Sequence, residues 1–287
     1  MTSGSPRDRK PAAAGRRLVP LAQSTGMGGR AGVVHLVGAG PGDPELLTIK
    51  ALKLLQAAEV VVHDRLTPQP ILDLANRAAR MIDVGKRKSR HTLPQDDINQ
   101  LLVALALAGH RVVRLKGGDP FLFGRGGEEL LALREAGVEA HAVPGVSAAL
   151  AAAAGAGAPL THRGLAQSVT FVTGHAALGA APDLDWTSLA RANQTVAVYM
   201  GLTTAPLIAQ RLIEAGRAPS TPVLVVENAS LVDERRRLTT LMDLPEAAAG
   251  LDGPVLLLIG ETAALADMRG VDVQQLAAEV LAGRRTA

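Results

Sequence analysis

Cysteine is absent from the 287 residues, which excludes disulfides and thiolate metal sites. Aromatic residues number only five, too few for the stacking platforms of single-strand nucleic-acid binders. The seven histidines are scattered with no H-x-x-x-H spacing, so no metal site is expected. No apolar run is long enough for a signal peptide or a membrane span. A soluble cytoplasmic protein is therefore the expectation. A basic surface is lacking as well. The formal charge is +3, but residues 1–30 hold six Lys or Arg against one acid, which leaves about −2 for residues 31–287. Any cationic site in the body must be local, and no nucleic-acid partner is expected.

Glycine is plentiful, and it is concentrated. Gly38-Ala39-Gly40-Pro41-Gly42-Asp43-Pro44 follows the apolar run 33–37, and residues 117–127 (GGDPFLFGRGG) follow the run 112–115. Glycine admits backbone conformations closed to other residues and lets a ligand approach closely. In open α/β sheets ligands bind where strands end and loops begin. Two such loops predict one small-molecule cleft with two walls. A dinucleotide site fits poorly, because Asp43 stands at the third glycine position of G-x-G-x-x-G and Pro41 removes a backbone N–H. Asp43 reads instead as an N-cap, with Pro44 opening a helix over 44–57. A neutral or zwitterionic ligand suits that loop better than a pyrophosphate.

Strand and helix patterns alternate along the chain. Strands are expected at 33–37, 60–63, 81–84, 112–115 and 138–143, with helices at 44–57, 70–75, 94–107 and 126–136. Continuous β-branched runs between helices predict a mainly parallel sheet covered on both faces. Val143-Pro144-Gly145-Val146-Ser147 breaks the pattern before an Ala-rich stretch over 148–158, read as a buried helix. Further strands are expected at 169–172, 196–199, 223–227, 237–240 and 255–259, and helices at 205–215 and 271–281. A hairpin into 237–240 predicts a mixed second sheet. The organisation is thus a disordered basic tail (1–30), an α/β domain (31–143), a second α/β domain (144–265) and a C-terminal helix or tail (266–287).

Several polar residues sit where strands end. Asp64 follows the strand 60–63 and is either a ligand-facing carboxylate or a loop cap. Lys86, Arg87, Lys88 and Arg90 follow Gly85 and read as a solvated loop or as partners for substrate carboxylates. Asp119 and Arg125 lie within a loop holding five glycines in eleven residues, which favours a ligand wall over a simple turn. His162, Arg163 and His175 follow apolar elements. Met200 fits either core packing or an adenine face, and Glu227 to Ala229 end another strand.

These blocks together resemble the uroporphyrinogen-III C-methyltransferases of the tetrapyrrole methylase superfamily. The resemblance covers residues 33–259 and rests on ordered motifs: 37–44 (VGAGPGDP), 64–66 (DRL), 84–87 (VGKR), 113–121 (VRLKGGDPF), 123–129 (FGRGGEE), 143–145 (VPG), 159–163 (PLTHR), 173–175 (TGH) and 199–201 (YMG). It implies two α/β domains with an active site in the interdomain cleft, S-adenosylmethionine as donor, S-adenosylhomocysteine as product, and a homodimer. By the same resemblance the cofactor contacts fall on Pro41, Gly117, Gly118, Asp119, Leu122, Ser147, Ala148, Met200 and Ala229. The proton acceptor falls on Asp64 and the proton donor on Lys86. The substrate, uroporphyrinogen III, would be methylated at C2 and C7 to precorrin-2, with Arg87, Arg125, His162 and Arg163 as candidates to bind its carboxylates. His63, Ser147 and Ala229 depart from the pattern, where relatives carry Tyr, Thr and Gly. A later precorrin as substrate is the alternative within the superfamily, and a nicotinamide oxidoreductase is the alternative from another class.

Overall fold

The computed structural model describes residues 31–85, 93–176 and 182–267. Within them the first sheet is built from β1 (Val33–Gly38), β2 (Val60–His63), β3 (Arg80–Asp83), β4 (Val112–Lys116) and β5 (Glu139–Val143). Its order is β3-β2-β4-β1-β5, and every pairing is parallel. All the loops at the carboxyl ends of these strands therefore emerge along one edge, which is what gathers the site.

Side chains alternate across the strands. Val34, Leu36, Val60, Val62 and Val112 pack under α3 (Gln95–Leu107) and α4 (Gly126–Glu135), while Val37, Val61, Val113 and Leu115 pack under α1 (Ile49–Ala57) and α2 (Gln69–Leu72). Burying each such Val or Leu contributes about 1.5–3 kcal/mol. The helix expected over 44–57 is two pieces. Asp43 and Pro44 open only a short 3-10 turn, Pro44–Leu46, and Leu47 is extended. Thr48 then caps α1, its hydroxyl accepting from Ala51 N at 3.1 Å.

The second sheet holds β6 (Ser168–Thr173), β7 (Gln194–Tyr199), β8 (Pro222–Glu227), β9 (Arg235–Thr240) and β10 (Val255–Ile259), in the order β6-β7-β10-β8-β9. Only β6 and β7 run parallel, so the sheet is mixed as the hairpin between β8 and β9 required. One face buries Val196, Val198, Val225 and Leu257 under α7 (Ala205–Glu214) and α8 (Leu244–Ala248), near the short α6 (Trp186–Leu189). The other face receives α5 (Ala148–Gly155), whose Ala149, Ala152 and Ala153 meet Ala197, Leu224, Leu256 and Leu258. Its small side chains let the helix lie close to the strands. Among the described residues no helix is long and apolar enough to cross a membrane. The helix expected over 271–281 lies outside the described residues.

Candidate active site

Three neighbouring strands, β4, β1 and β5, deliver their loops to one point. Ala39 N donates to Lys116 O at 2.7 Å, and Gly40 and Gly118 exchange backbone hydrogen bonds of 2.7 and 3.2 Å. Gly145 closes the contact from the third loop. A Cβ there would stand 2.2 Å from Gly118 O and 2.9 Å from Gly38 Cα, so only glycine fits. Asp119 ties the same loops together, its carboxylate accepting from Phe121 N at 2.8 Å and from Gly145 N at 3.1 Å. Gly117, Gly118, Asp119, Pro41 and Leu122 are all partly exposed here. Gly118 adopts φ +66, and the space a Cβ would occupy is bounded only by Ala148 N at 4.0 Å.

The second sheet reaches this point through the ends of β7 and β8. Ser230 Oγ accepts from Asp43 N at 3.2 Å, and Leu231 packs so closely on Gly42 that a Cβ would clash at 2.3 Å. Tyr199 makes the other link. Its hydroxyl bonds to Ser147 Oγ and accepts from Ala149 N at 3.1 Å, which satisfies an otherwise free donor at the start of α5. Burial holds the phenol pKa above its ordinary value, so the proton stays on at neutral pH. The ring lies 5.1 Å from Phe123 and 6.3 Å from Phe171. Three of the chain's five aromatics thus meet at the junction of the two sheets.

Left-handed backbone is concentrated in the same loops. Six non-glycine residues among those described have positive φ, and five of them, Phe123, Arg125, Met200, Asn228 and Ser230, follow β4, β7 or β8. Such strain gathers where surrounding structure fixes a special backbone shape. Met200 is 49% exposed at the end of β7. Ala229 is buried between two left-handed residues but is not left-handed itself, so its Cβ is tolerated there.

Asp64 sits at the end of β2. Its Oδ1 accepts from Leu66 N at 3.2 Å, and its Oδ2 lies 3.6 Å from Arg114 Nη2. Arg114 and Lys116 are both buried on β4, and both donate to Oε1 of the fully buried Glu129, at 3.0 and 2.9 Å. Gln95 Nε2 adds a third donor at 3.2 Å, while Glu129 Oε2 has no partner among the described residues. Burial and the neighbouring Arg114 lower the Lys116 pKa, with Glu129 opposing them. The expectation of an apolar strand over 112–115 does not anticipate this cluster. The visible signal was Arg114-x-Lys116 inside a strand expected to be covered on both faces.

Other expected residues stand apart. Arg125 is committed to Glu128 through Nε at 2.8 Å and Nη2 at 2.6 Å. His162 Nδ1 donates to Arg163 O at 2.8 Å in an exposed turn, closed by paired backbone bonds between His162 and Ala166. Neither His162 nor Arg163 bonds to Asp64 or the glycine loops. A cavity of about 550 Å³ lies instead along the β2–β3 side, lined by His63, Gln69, Asp73, Asn76, Arg77 and Met81 among others, and none of the expected cofactor residues borders it. Lys86 and Arg87 lie outside the described residues.

Residues 33–245 match the tetrapyrrole (corrin/porphyrin) methylases. The chain belongs to this family. It is 52% identical over 257 residues to a siroheme synthase of Chromobacterium violaceum, covering 89% of this chain and 54% of that protein. The chain thus spans about half the length of the curated relatives it matches. Among solved structures it resembles the uroporphyrin-III C-methyltransferase of Thermus thermophilus in complex with S-adenosylhomocysteine, at 44% identity and a TM-score of 0.71, covering 82% of this chain and 100% of that one. A cobalt precorrin-4 methyltransferase matches at 32% identity and a TM-score of 0.72, over 80% and 95% of the two chains.

Proposed function

We propose that the protein transfers methyl groups from S-adenosylmethionine to C2 and C7 of uroporphyrinogen III, giving precorrin-2 by way of precorrin-1. The observation that carries this reading is Gly118, left-handed and open beside Ala148 N, at the meeting point of three glycine loops and Tyr199. That cradle fits a zwitterionic nucleoside better than a pyrophosphate, because Asp119 places a carboxylate in its wall, bonded to Gly145 N. Pro41, Gly117, Gly118, Asp119, Leu122, Ser147, Ala148, Met200 and Ala229 would hold the cofactor. The 44% identity to the Thermus thermophilus enzyme over that chain's whole length supports the same reading.

The cofactor supplies an activated methyl group, and the protein supplies alignment and charge. Methylation of a pyrrole carbon leaves the macrocycle cationic until it loses a proton elsewhere. Asp64, with one oxygen held by Leu66 N and the other facing Arg114, is the base that accepts it. Lys86 as proton donor, and Arg87, Arg125, His162 and Arg163 as partners of substrate carboxylates, belong to the same proposal. So do the division into domains at 31–143 and 144–265, a homodimer and a cytoplasmic location.

Incubation with uroporphyrinogen III and labelled S-adenosylmethionine tests the reading, with methyl groups counted per macrocycle. C2- and C7-methylated product is expected. The match to a cobalt precorrin-4 methyltransferase keeps a later precorrin as a second reading, and transfer only to such a substrate would select it. Absence of transfer to any tetrapyrrole would overturn both.

A further inference from the structure

We propose that Arg114 is a positioning residue that aims the Asp64 carboxylate, and that the buried Glu129 fixes Arg114 for that purpose. The inference rests on Asp64 being the proton acceptor. It starts from an anomaly in β4. Strands of a covered parallel sheet are ordinarily apolar throughout. Here Val112, Arg114 and Lys116 share one face, and all three are buried under α3 and α4. Two buried cations need compensation, because an unpaired charge in the interior costs several kcal/mol. Glu129 supplies one negative charge, and Asp64 at the cluster's rim supplies the second. Asp64 is the only one of the four that reaches solvent appreciably, with a side chain 27% exposed against 4%, 4% and 0% for Arg114, Lys116 and Glu129.

The bonds of Arg114 leave its guanidinium little freedom. Nε donates to Glu129 at 3.0 Å, Nη1 donates to Leu115 O at 3.1 Å and lies 3.5 Å from Val62 O, and Nη2 is left to face Asp64. A planar fork held at two of its three nitrogens points the third in one direction. Asp64 takes the Leu66 N–H on Oδ1 and presents Oδ2 to that nitrogen at 3.6 Å, an ion-pair distance, so its carboxylate is approached from both ends. Lys116 extends the same cluster beneath the glycine loop, its Cε 3.4 Å from where a Cβ at Gly124 would stand. The cluster therefore underlies both the proposed base and the loop that carries Gly117 to Asp119.

The test is a double-mutant cycle on full-length protein, reading turnover, S-adenosylmethionine affinity and thermal stability together. Arg114→Lys keeps the charge but cannot bond Glu129 and face Asp64 at once. Its kcat is expected to fall about ten- to a hundredfold, with cofactor affinity held within about twofold. Asp64→Asn is expected to fall further, and the double variant no further than Asp64→Asn alone. Losses that multiply, or an Arg114→Lys enzyme with normal kcat, overturn the inference while leaving Asp64 as base. An Asp64→Asn enzyme with unchanged kcat overturns the reading of Asp64 and this inference with it. Should Arg114→Lys fail to fold, Glu129→Gln replaces it in the same cycle, since it removes the negative charge that anchors the Nε end of the fork. Non-multiplying losses again support the proposal, and multiplying ones overturn it.

Discussion

Replacing Tyr199 with Phe deletes one oxygen and leaves the ring against Phe123 and Phe171. That oxygen bonds Ser147 Oγ and takes the N–H of Ala149. Ser147 is the N-cap of α5, yet its side chain makes no capping bond because it is engaged by Tyr199. With the phenol gone, Ser147 Oγ is free to turn and accept from Ala149 N, the second residue of the helix, as N-cap serines ordinarily do. Two bonds are then lost and one is recovered, so Tyr199→Phe should cost about 1 kcal/mol. For a chain of this size that is a fall in Tm of about 2–4 °C. Ser147→Ala alone keeps the phenol over Ala149 N and should cost no more. The double variant strands Ala149 N without any acceptor and should cost about 2–3 kcal/mol, more than the sum of the singles. The assay is thermal unfolding of the four proteins with and without S-adenosylmethionine. Because Ala148 lies between the affected residues, the double variant should also bind the cofactor more weakly. Additive Tm losses, or a Tyr199→Phe protein as stable as the parent, would refute the exchange of partners.

Gly118→Val places a β-branched residue at φ +66 and fills the open space beside Ala148 N, so S-adenosylmethionine should bind at least about tenfold more weakly; a normal titration would remove Gly118 from the cofactor site. Gly145→Ala drives a Cβ to 2.2 Å from Gly118 O and should prevent the three loops from meeting, seen as loss of soluble protein or of cofactor binding, whereas Gly127→Ala in α4 meets nothing within 4 Å and should stabilise by about 0.5–1 kcal/mol in denaturant titration. For Glu227, burial alone would raise the carboxyl pKa, but the N–H groups of Gly253 and Asp252 and the Arg235 guanidinium outweigh it and leave it below the ordinary 4.5. The stabilisation is therefore present above about pH 4.5 and is lost as pH falls through the lowered value, so Glu227→Gln should flatten the acid side of a Tm–pH curve.

Much of this architecture is written in short-range pattern. Val33 to Val37, Val60 to Val62 and Val255 to Ile259 are short, largely apolar, β-branched or leucine-rich runs of the length a covered strand uses, and they form β1, β2 and β10. The glycine loops were legible because each follows such a run directly. Their mutual contact was not, since the clash that excludes a side chain at Gly145 comes from Gly118, a residue distant in sequence and brought near only by the strand order β4-β1-β5. The helix expected over 44–57 divided because two capping residues compete there. Asp43 starts a turn, and Thr48 caps the helix that persists. Ala229 stood out in sequence as a departure from glycine. Its backbone carries no positive φ, and the left-handed positions are its neighbours Asn228 and Ser230.

The least legible feature carries the most consequence. Arg114 and Lys116 break the apolar rule of β4, and nothing in a local window says which acid compensates them. Glu129 follows on α4, and Asp64 comes from β2 across the sheet. A buried ion cluster is a poor source of stability, since apolar residues of similar volume commonly serve as well or better. Its retention is more readily explained by what it aims than by what it holds together. Fixed on one side by Glu129 and on the other by the carbonyl of Leu115, Arg114 converts the rigidity of a central strand into the orientation of one partly exposed carboxylate. If Asp64 is the base of the proposed reaction, a carboxylate held that way would stay aligned while the substrate is turned between two successive transfers at one site.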